Sequence, residues 1–315
     1  MRKKILWVFA GFLAVTFMAA SVSYAGKTEI VSKDSAGKLG NNYSNEPSIS
    51  ADGRYVAFRS FASNLVPGDT NDKSDIFVHD RQTGETIIVS KDSAGNLGNN
   101  HSNAPAISAD GRFVAFQSVA GNLVPGDTND KADVFVHDRK TGETIIISKD
   151  STGILGNNDS AKPAVSANGR YVAFQSLDGN LVPGDTNSKS DIIIHDRKTG
   201  ATKIISKDSK GKLGNSDSYE PAISANGRHV AFRSGASNLV PDDTNDQEDI
   251  FVHDRQTGKT EIVSKDSAGI QGNSGGCFVP AISNDGRYVA FESDASNLVP
   301  NDNNGKTDVF VRDRH

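Results

Sequence analysis

From Gly26 onward the chain alternates short runs of β-branched and aromatic residues with polar breaks marked by glycine, proline and aspartate. Residues 105–149 show the pattern: 105–108, 112–118, 133–138 and 144–149 read as four strands, a to d. Strands b and d carry apolar residues on both faces and lack the three-to-four spacing of an amphipathic helix. They fit a sheet covered on each side by neighbouring sheets. Ala109-Asp110-Gly111 between a and b, and Lys140-Thr141-Gly142 between c and d, have the composition of tight turns, with glycine supplying positive φ.

The pattern repeats. Pro47, Pro105, Pro163, Pro221 and Pro280 each open the same phrase, at spacings of 58, 58, 58 and 59 residues. A strand-rich period of that length predicts a propeller-type array. The last copy stops just after its strand c, while residues 27–37 are identical to 259–269, which contain strand d of the fourth copy. The expectation is an all-β, five-bladed β-propeller of four-stranded antiparallel blades, its ring closed by the N-terminal strand completing the last blade. Closure would remove an open sheet edge.

Residues 50–58, Ser-Ala-Asp-Gly-Arg-Tyr-Val-Ala-Phe, are followed by an aspartate-led strand ending in Asp80, Arg81, Thr83 and Gly84. This phrase resembles the TolB-type, WD40-like propeller repeat, and the resemblance covers all five copies. It implies a periplasmic or secreted protein-interaction scaffold without catalysis. The phrase departs from that family at Ala51, where the family has proline, and in blades longer than the usual forty-odd residues.

Charge and composition narrow the partners. Arg2, Lys3 and Lys4 precede an apolar stretch from Ile5 to Ala20, and Ser23 and Ala25 supply small residues at a cleavage site. Residues 1–25 therefore read as a signal peptide and 26–315 as one propeller domain. The expected product is exported, a monomer, and without a stable membrane anchor after cleavage. It holds 31 basic against 39 acidic residues, a net −8 that excludes nucleic acid as a partner. Trp7 lies in the leader, so the rest lacks tryptophan, a common platform for sugar faces. Cys277, the single cysteine, excludes a disulfide framework.

Loop length chooses the working face. The a–b and c–d turns are tight, whereas the b–c and d–a connections each exceed ten residues and crowd the other face, where binding is expected. The b–c loops share Asn-Leu-Val-Pro-x-Asp-x-Asn-x-x-x-Asp. Their Asp69, Asn71, Asp75; Asp127, Asn129, Asp133; Asp185, Asn187, Asp191; Asp243, Asn245, Asp249; and Asp302, Asn304, Asp308 are candidate Ca2+ ligands, resembling the start of a calcium loop. The same residues equally suit side chains that hold their own backbone turns. Around the channel mouth, Tyr43, Glu46, His101, Asp159, Lys162, Asp217, Tyr219 and Glu220 break the repetition and are candidate ligand-binding residues. His79, His137, His195 and His253 recur on separate strands c and read as packed, hydrogen-bonded side chains. Each following Asp-Arg pair, such as Asp80 and Arg81, reads as a brace of the c–d turn. Ser274 stands in a Gly-x-Ser-x-Gly stretch without the strand–turn–helix context of a nucleophile elbow. The expected function is a non-catalytic scaffold for a protein, peptide or cell-envelope ligand. The alternatives are an exported hydrolase or lyase acting at the channel mouth, and a multivalent glycan-binding lectin.

Overall fold

The computed structural model describes residues 26–273 and 276–315. The expected signal peptide and Ser274 lie outside the described residues. The chain divides into a short unit ending at Ile30 and a large one, Val31–His315. Residues 26–30 carry no strand.

The large unit holds five antiparallel sheets, four of four strands and one of three. In the first, β1 (Ser44–Ile49), β2 (Tyr55–Ser60), β3 (Asp75–Asp80) and β4 (Thr86–Ile88) follow one another in space as in sequence. The last sheet has strands a to c alone, Cys277–Ile282, Tyr288–Ser293 and Asp308–Asp313. This is an all-β array of propeller blades, five in number.

Strand a begins earlier than the hydrophobic pattern suggests. In the second sheet it spans Ser102–Ile107 and not 105–108, with a bulge between Asn103 and Ala106. Pro105 sits at that bulge, where a missing N–H interrupts no ladder bond. The polar residues before the proline read as loop because their side chains do not alternate, yet their backbone pairs with strand b.

Packing between sheets explains the repeat phrase. Strand c is buried at every position in the first four sheets, because the neighbouring sheets cover both its faces. Apolar clusters fill the seams, with Phe116, Phe135 and Ile76 joining the first sheet to the second. The tight a–b turn also serves the seam. A Cβ on Gly111 would lie 2.0 Å from the Tyr55 ring of the preceding sheet, so glycine is needed for close approach as well as for its φ of +70°. Gly169 approaches Phe113, and Gly227 approaches Tyr171, in the same way. Arg139 lies over Tyr55 at 4.1 Å, Arg197 over Phe113 at 4.2 Å and Arg255 over Tyr171 at 4.0 Å.

The residue before Asp-Gly-Arg binds the next sheet through its backbone. Ala51 N–H donates to Ala109 O at 3.0 Å, and Ala109, Ala167 and Ala225 continue the chain to Asn284. Proline could not donate this bond, which accounts for alanine where the TolB-type phrase has proline.

The two end faces of the array differ from the seams. Ile49 is 58% exposed where its counterpart Ile107 is 7% exposed, and Val309 and Val311 on the last strand are 74% and 66% exposed.

Candidate functional site

All five strands a converge on one funnel of about 400 Å3, lined by Glu46, Ala104, Lys162, Glu220, Val279 and the proline after each. Each of these five residues is at a bulge and holds a left-handed φ, from 39° at Val279 to 54° at Glu220. Non-glycine residues in that region each carry about 1–2 kcal/mol of strain, most for branched Val279. The bulge turns one side chain per blade toward the axis, and this is the position at which the copies differ most in charge and size.

Neighbouring side chains tune the funnel. Glu46 Oε2 accepts the Ala104 N–H at 2.7 Å, and its Oε1 lies 3.9 Å from Arg59. Glu220 repeats this one seam before the end, accepting the Val279 N–H at 3.3 Å with Arg233 at 3.9 Å. Lys162 is exposed, so a cation faces the funnel between two carboxylates. Arg233 also lies over the rings of Tyr219 and Phe278, at 5.0 and 5.5 Å, and 3.7 Å from Glu248. Burial, followed by the charge of Asp217, raises the Tyr219 phenol above its usual range.

The other candidates of the mouth serve the seams. His101 Nδ1 accepts the Ser74 N–H at 3.0 Å, Asp159 Oδ1 the Ala132 N–H at 2.9 Å, and Asp217 Oδ1 the Ser190 N–H at 2.8 Å. Each therefore caps the start of strand c in the preceding sheet. Tyr43, the first of the series, is 80% exposed. Sequence reasoning missed Phe278, on strand a of the last sheet, and it missed Arg59 and Arg233, because strand b repeats so evenly that its fifth residue draws no notice. The signal was there: that position reads Arg59, Gln117, Gln175, Arg233 and Glu292.

In the b–c loops, Asn71 Nδ2 donates to Asp75 Oδ2 at 2.9 Å and to Gly98 O at 3.0 Å, while its Oδ1 accepts the Lys73 N–H. Asn129, Asn187 and Asn304 bond Asp133, Asp191 and Asp308 alike. Asp75 also accepts the Ser90 hydroxyl at 2.6 Å. In these four copies the side chains hold the turn. Burial pushes Asp133 and Asp191 up to about 6. Asp69 and Asp243 also rise to about 6, through burial and then repulsion from Asp75 and Asp249 respectively. Asp127 and Asp185 are raised by burial as well. Asp302, in the last copy, lies in the loop of the open end sheet. Among the described residues no three His, Cys, Asp or Glu side chains gather as a metal cluster.

The recurring histidines lie inside the sheets. His137, His195 and His253 bond Thr144, Thr202 and Thr260 at 2.9 Å, as His79 does Thr86 at 2.8 Å. Burial lowers the first three to about 4, so they are neutral near pH 7. The Asp-Arg pair needs correction. Asp80 is held by Arg54, across strands b and c, through two bonds of 2.9 and 2.7 Å. Arg81 instead reaches Gly53 O at 2.6 Å. The arginine of Asp-Gly-Arg faces strand c directly, whereas the arginine after the histidine is directed to the a–b turn. Cys277 is buried, and burial raises its thiol to about 11.

Comparison of the coordinates now adds to the geometry. TolB from Acinetobacter baumannii superposes with a TM-score of 0.50 at 19% identity, over 81% of this chain and 50% of that one. The fold is a TolB-like β-propeller. The chain spans half the length of that TolB. The β-propeller domain of the Trilobed protease from Pyrococcus furiosus, described as having an open velcro topology, matches 87% of this chain and 69% of that one, at 12% identity and a TM-score of 0.50. An oligogalacturonate lyase from Vibrio parahaemolyticus matches 87% of this chain and 63% of that one, at 13% identity and a TM-score of 0.51. These likenesses concern fold alone. No protein-family model and no curated protein matches the sequence.

Proposed function

We propose that this TolB-like propeller is an exported, non-catalytic scaffold that takes a protein or peptide at its funnel and on the surrounding long-loop face. The observation that carries this reading is the funnel's asymmetry. A frame repeated nearly verbatim presents Glu46, Ala104, Lys162, Glu220 and Val279, four side-chain types over five positions held at strained φ around one opening. Strain kept at five non-glycine positions suits a fixed recognition surface. The buried, neutral histidines bond to threonine within the sheets and have no access to a substrate there.

The same proposal includes a closed ring. Thr144, Thr202 and Thr260 each donate from Oγ1 to the carbonyl of Lys91, Lys149 and Lys207, the lysine just after strand d of the sheet before. Thr86 donates to Lys33 O in the same way, at 2.5 Å. By that equivalence the proposal assigns residues 27–31 the role of strand d of the blade before the first, which in a ring would be the fifth. Ser90, Ser148, Ser206 and Ser264 each bond the leading aspartate of strand c. Ser32 and Asp308 are the fifth such pair in sequence.

A displayed random-peptide library panned on the full chain tests the binding reading. Enriched peptides are expected to lose at least about tenfold in affinity to Lys162→Ala with Tyr43→Ala, the scale of one lost anchor. Gln82→Ala with Lys140→Ala, on the tight-turn face, is expected to leave binding unchanged. Loss through the second pair alone would assign function to the wrong face.

A further inference from the structure

The fourth b–c loop departs from its four sister loops in sequence, backbone and hydrogen bonding together. Asp242 replaces the glycine of the first three copies, Gln247 replaces lysine, and Glu248 replaces serine, alanine or threonine. The loop therefore gathers Asp242, Asp243, Asp246, Glu248 and Asp249 with no basic residue between Val240 and Asp249. Gly68, Gly126, Gly184 and Asn301 are left-handed at the position of Asp242, which is not. Asn245 Nδ2 keeps the bond of the first three copies to the following loop, donating to Gly272 O at 3.1 Å.

Its bond to the leading aspartate, present in the other copies, is missing. Asp249 Oδ2 and Asp243 Oδ1 are both buried without a hydrogen-bond partner, and Asp249 is 1% exposed. Asp249 accepts the Ser264 hydroxyl through its other oxygen, at 2.6 Å, but two buried oxygens without a donor of their own, on carboxylates that repel one another, are unfavourable unless a proton or a cation offsets them. Glu248 is already turned to Arg233, so the unmet charge belongs to the inner pair.

We propose that the fourth b–c loop binds one Ca2+ ion through Asp243 and Asp249. The side-chain amide oxygen Oδ1 of Asn245, which accepts the Gln247 N–H at 3.2 Å, is within the same loop and able to join them. Water completes the six to eight oxygens that calcium takes. The ion is hard and oxygen-seeking, as this donor set requires. Two carboxylates on a surface loop correspond to the weak class of extracellular sites, with Kd on the order of 10⁻⁴–10⁻³ M. The remaining copies satisfy their carboxylates internally and bind no ion.

Calcium titration of the full chain, by calorimetry up to about 10 mM CaCl2, tests the site. One ion per chain is expected, with Mg2+ at least about tenfold weaker because it demands an octahedral shell and sheds water reluctantly. The triple variant Asp242→Gly, Gln247→Lys, Glu248→Ser gives this loop the sequence of the first copy, which folds in place. It is expected to lose saturable binding, and its melting temperature to become the same in chelator and in calcium, while the wild-type melt rises with calcium. Absence of saturable binding by the wild-type chain overturns the proposal. So do unchanged binding by the triple variant, five ions per chain, or Mg2+ binding as tightly as Ca2+.

Discussion

Replacing Gly111 by alanine places a methyl group where the Tyr55 ring stands. The added Cβ would lie 2.0 Å from Cδ2 and 2.7 Å from Cγ of that ring. The ring has little room to withdraw, since Arg54 lies over it at 4.7 Å and Arg139 at 4.1 Å. Forcing alanine to a φ of +70° costs about 1–2 kcal/mol, and overpacking a filled seam adds about 1–3 kcal/mol. The expected destabilisation is about 2–5 kcal/mol. Gly142 provides the control, with a φ of +79° and nothing within 4 Å of an added Cβ. Gly142→Ala should cost the backbone part alone, about 1–2 kcal/mol. Urea unfolding followed by circular dichroism measures both, with the m-value confirming that the unfolding unit has not changed. Combining Gly111→Ala with Tyr55→Ala should return at least about 1 kcal/mol, the coupling expected of a direct clash. Equal losses for Gly111→Ala and Gly142→Ala would refute the close-approach argument.

Arg112→Ala removes two bonds, of 2.9 and 2.6 Å, from buried Asp138. The arginine is part-exposed, so the loss is expected to be about 1–2 kcal/mol by thermal or urea unfolding. The arginine also holds the Asp138 carboxyl down to about 2, below its unfolded value, so its contribution persists above about pH 4 and fades as pH falls through about 2. His195, lowered to about 4 by burial, contributes stability that is present above about pH 6.5 and lost as pH falls toward 4. Buried Asp191, raised to about 6, acts in the opposite sense, contributing below about pH 4 and losing that contribution as pH rises through 6. His195→Gln should therefore show a shallower fall in melting temperature than wild type between pH 6.5 and 4; an equally steep fall would contradict burial of a neutral imidazole.

The five-copy array and the order of strands were legible because they depend on local signals: runs of β-branched residues and Asp-Gly turns. What escaped the sequence lies between copies. Ala109 contacts its counterparts in both neighbouring sheets, Gly111 meets Tyr55, and Asp159 caps the strand led by Asp133, each across residues many tens apart. When every copy contains the same residues, the sequence cannot indicate whether a partner is in the same blade or the next. Asp80 escaped for another reason: its partner Arg54 is in the same blade but at the head of the adjacent strand b, 26 residues away, not next to it in sequence. The mouth residues were found by their variation. His101, Asp159 and Asp217 share that variation for a structural reason, since imidazole and carboxylate can both accept the same backbone N–H.

The proposed closure of the ring is the central claim, since a closed ring would make the funnel a single opening bounded by five blades. In the fourth sheet Val252 stands opposite Glu261, and by the repeat the proposed ring would pair Val311 with Glu29. Paired strand residues have Cα atoms about 4.5–5.5 Å apart, within reach of a disulfide. The chain carrying Glu29→Cys and Val311→Cys, oxidised at low concentration, is expected to give an intramolecular crosslink that survives as a monomer on a non-reducing gel. The pair Lys27→Cys and Val311→Cys, out of register, should not crosslink. Three free thiols per chain in the first variant, where Cys277 accounts for one in either case, or crosslinks formed between chains alone, would contradict a ring closed by its own N-terminal strand.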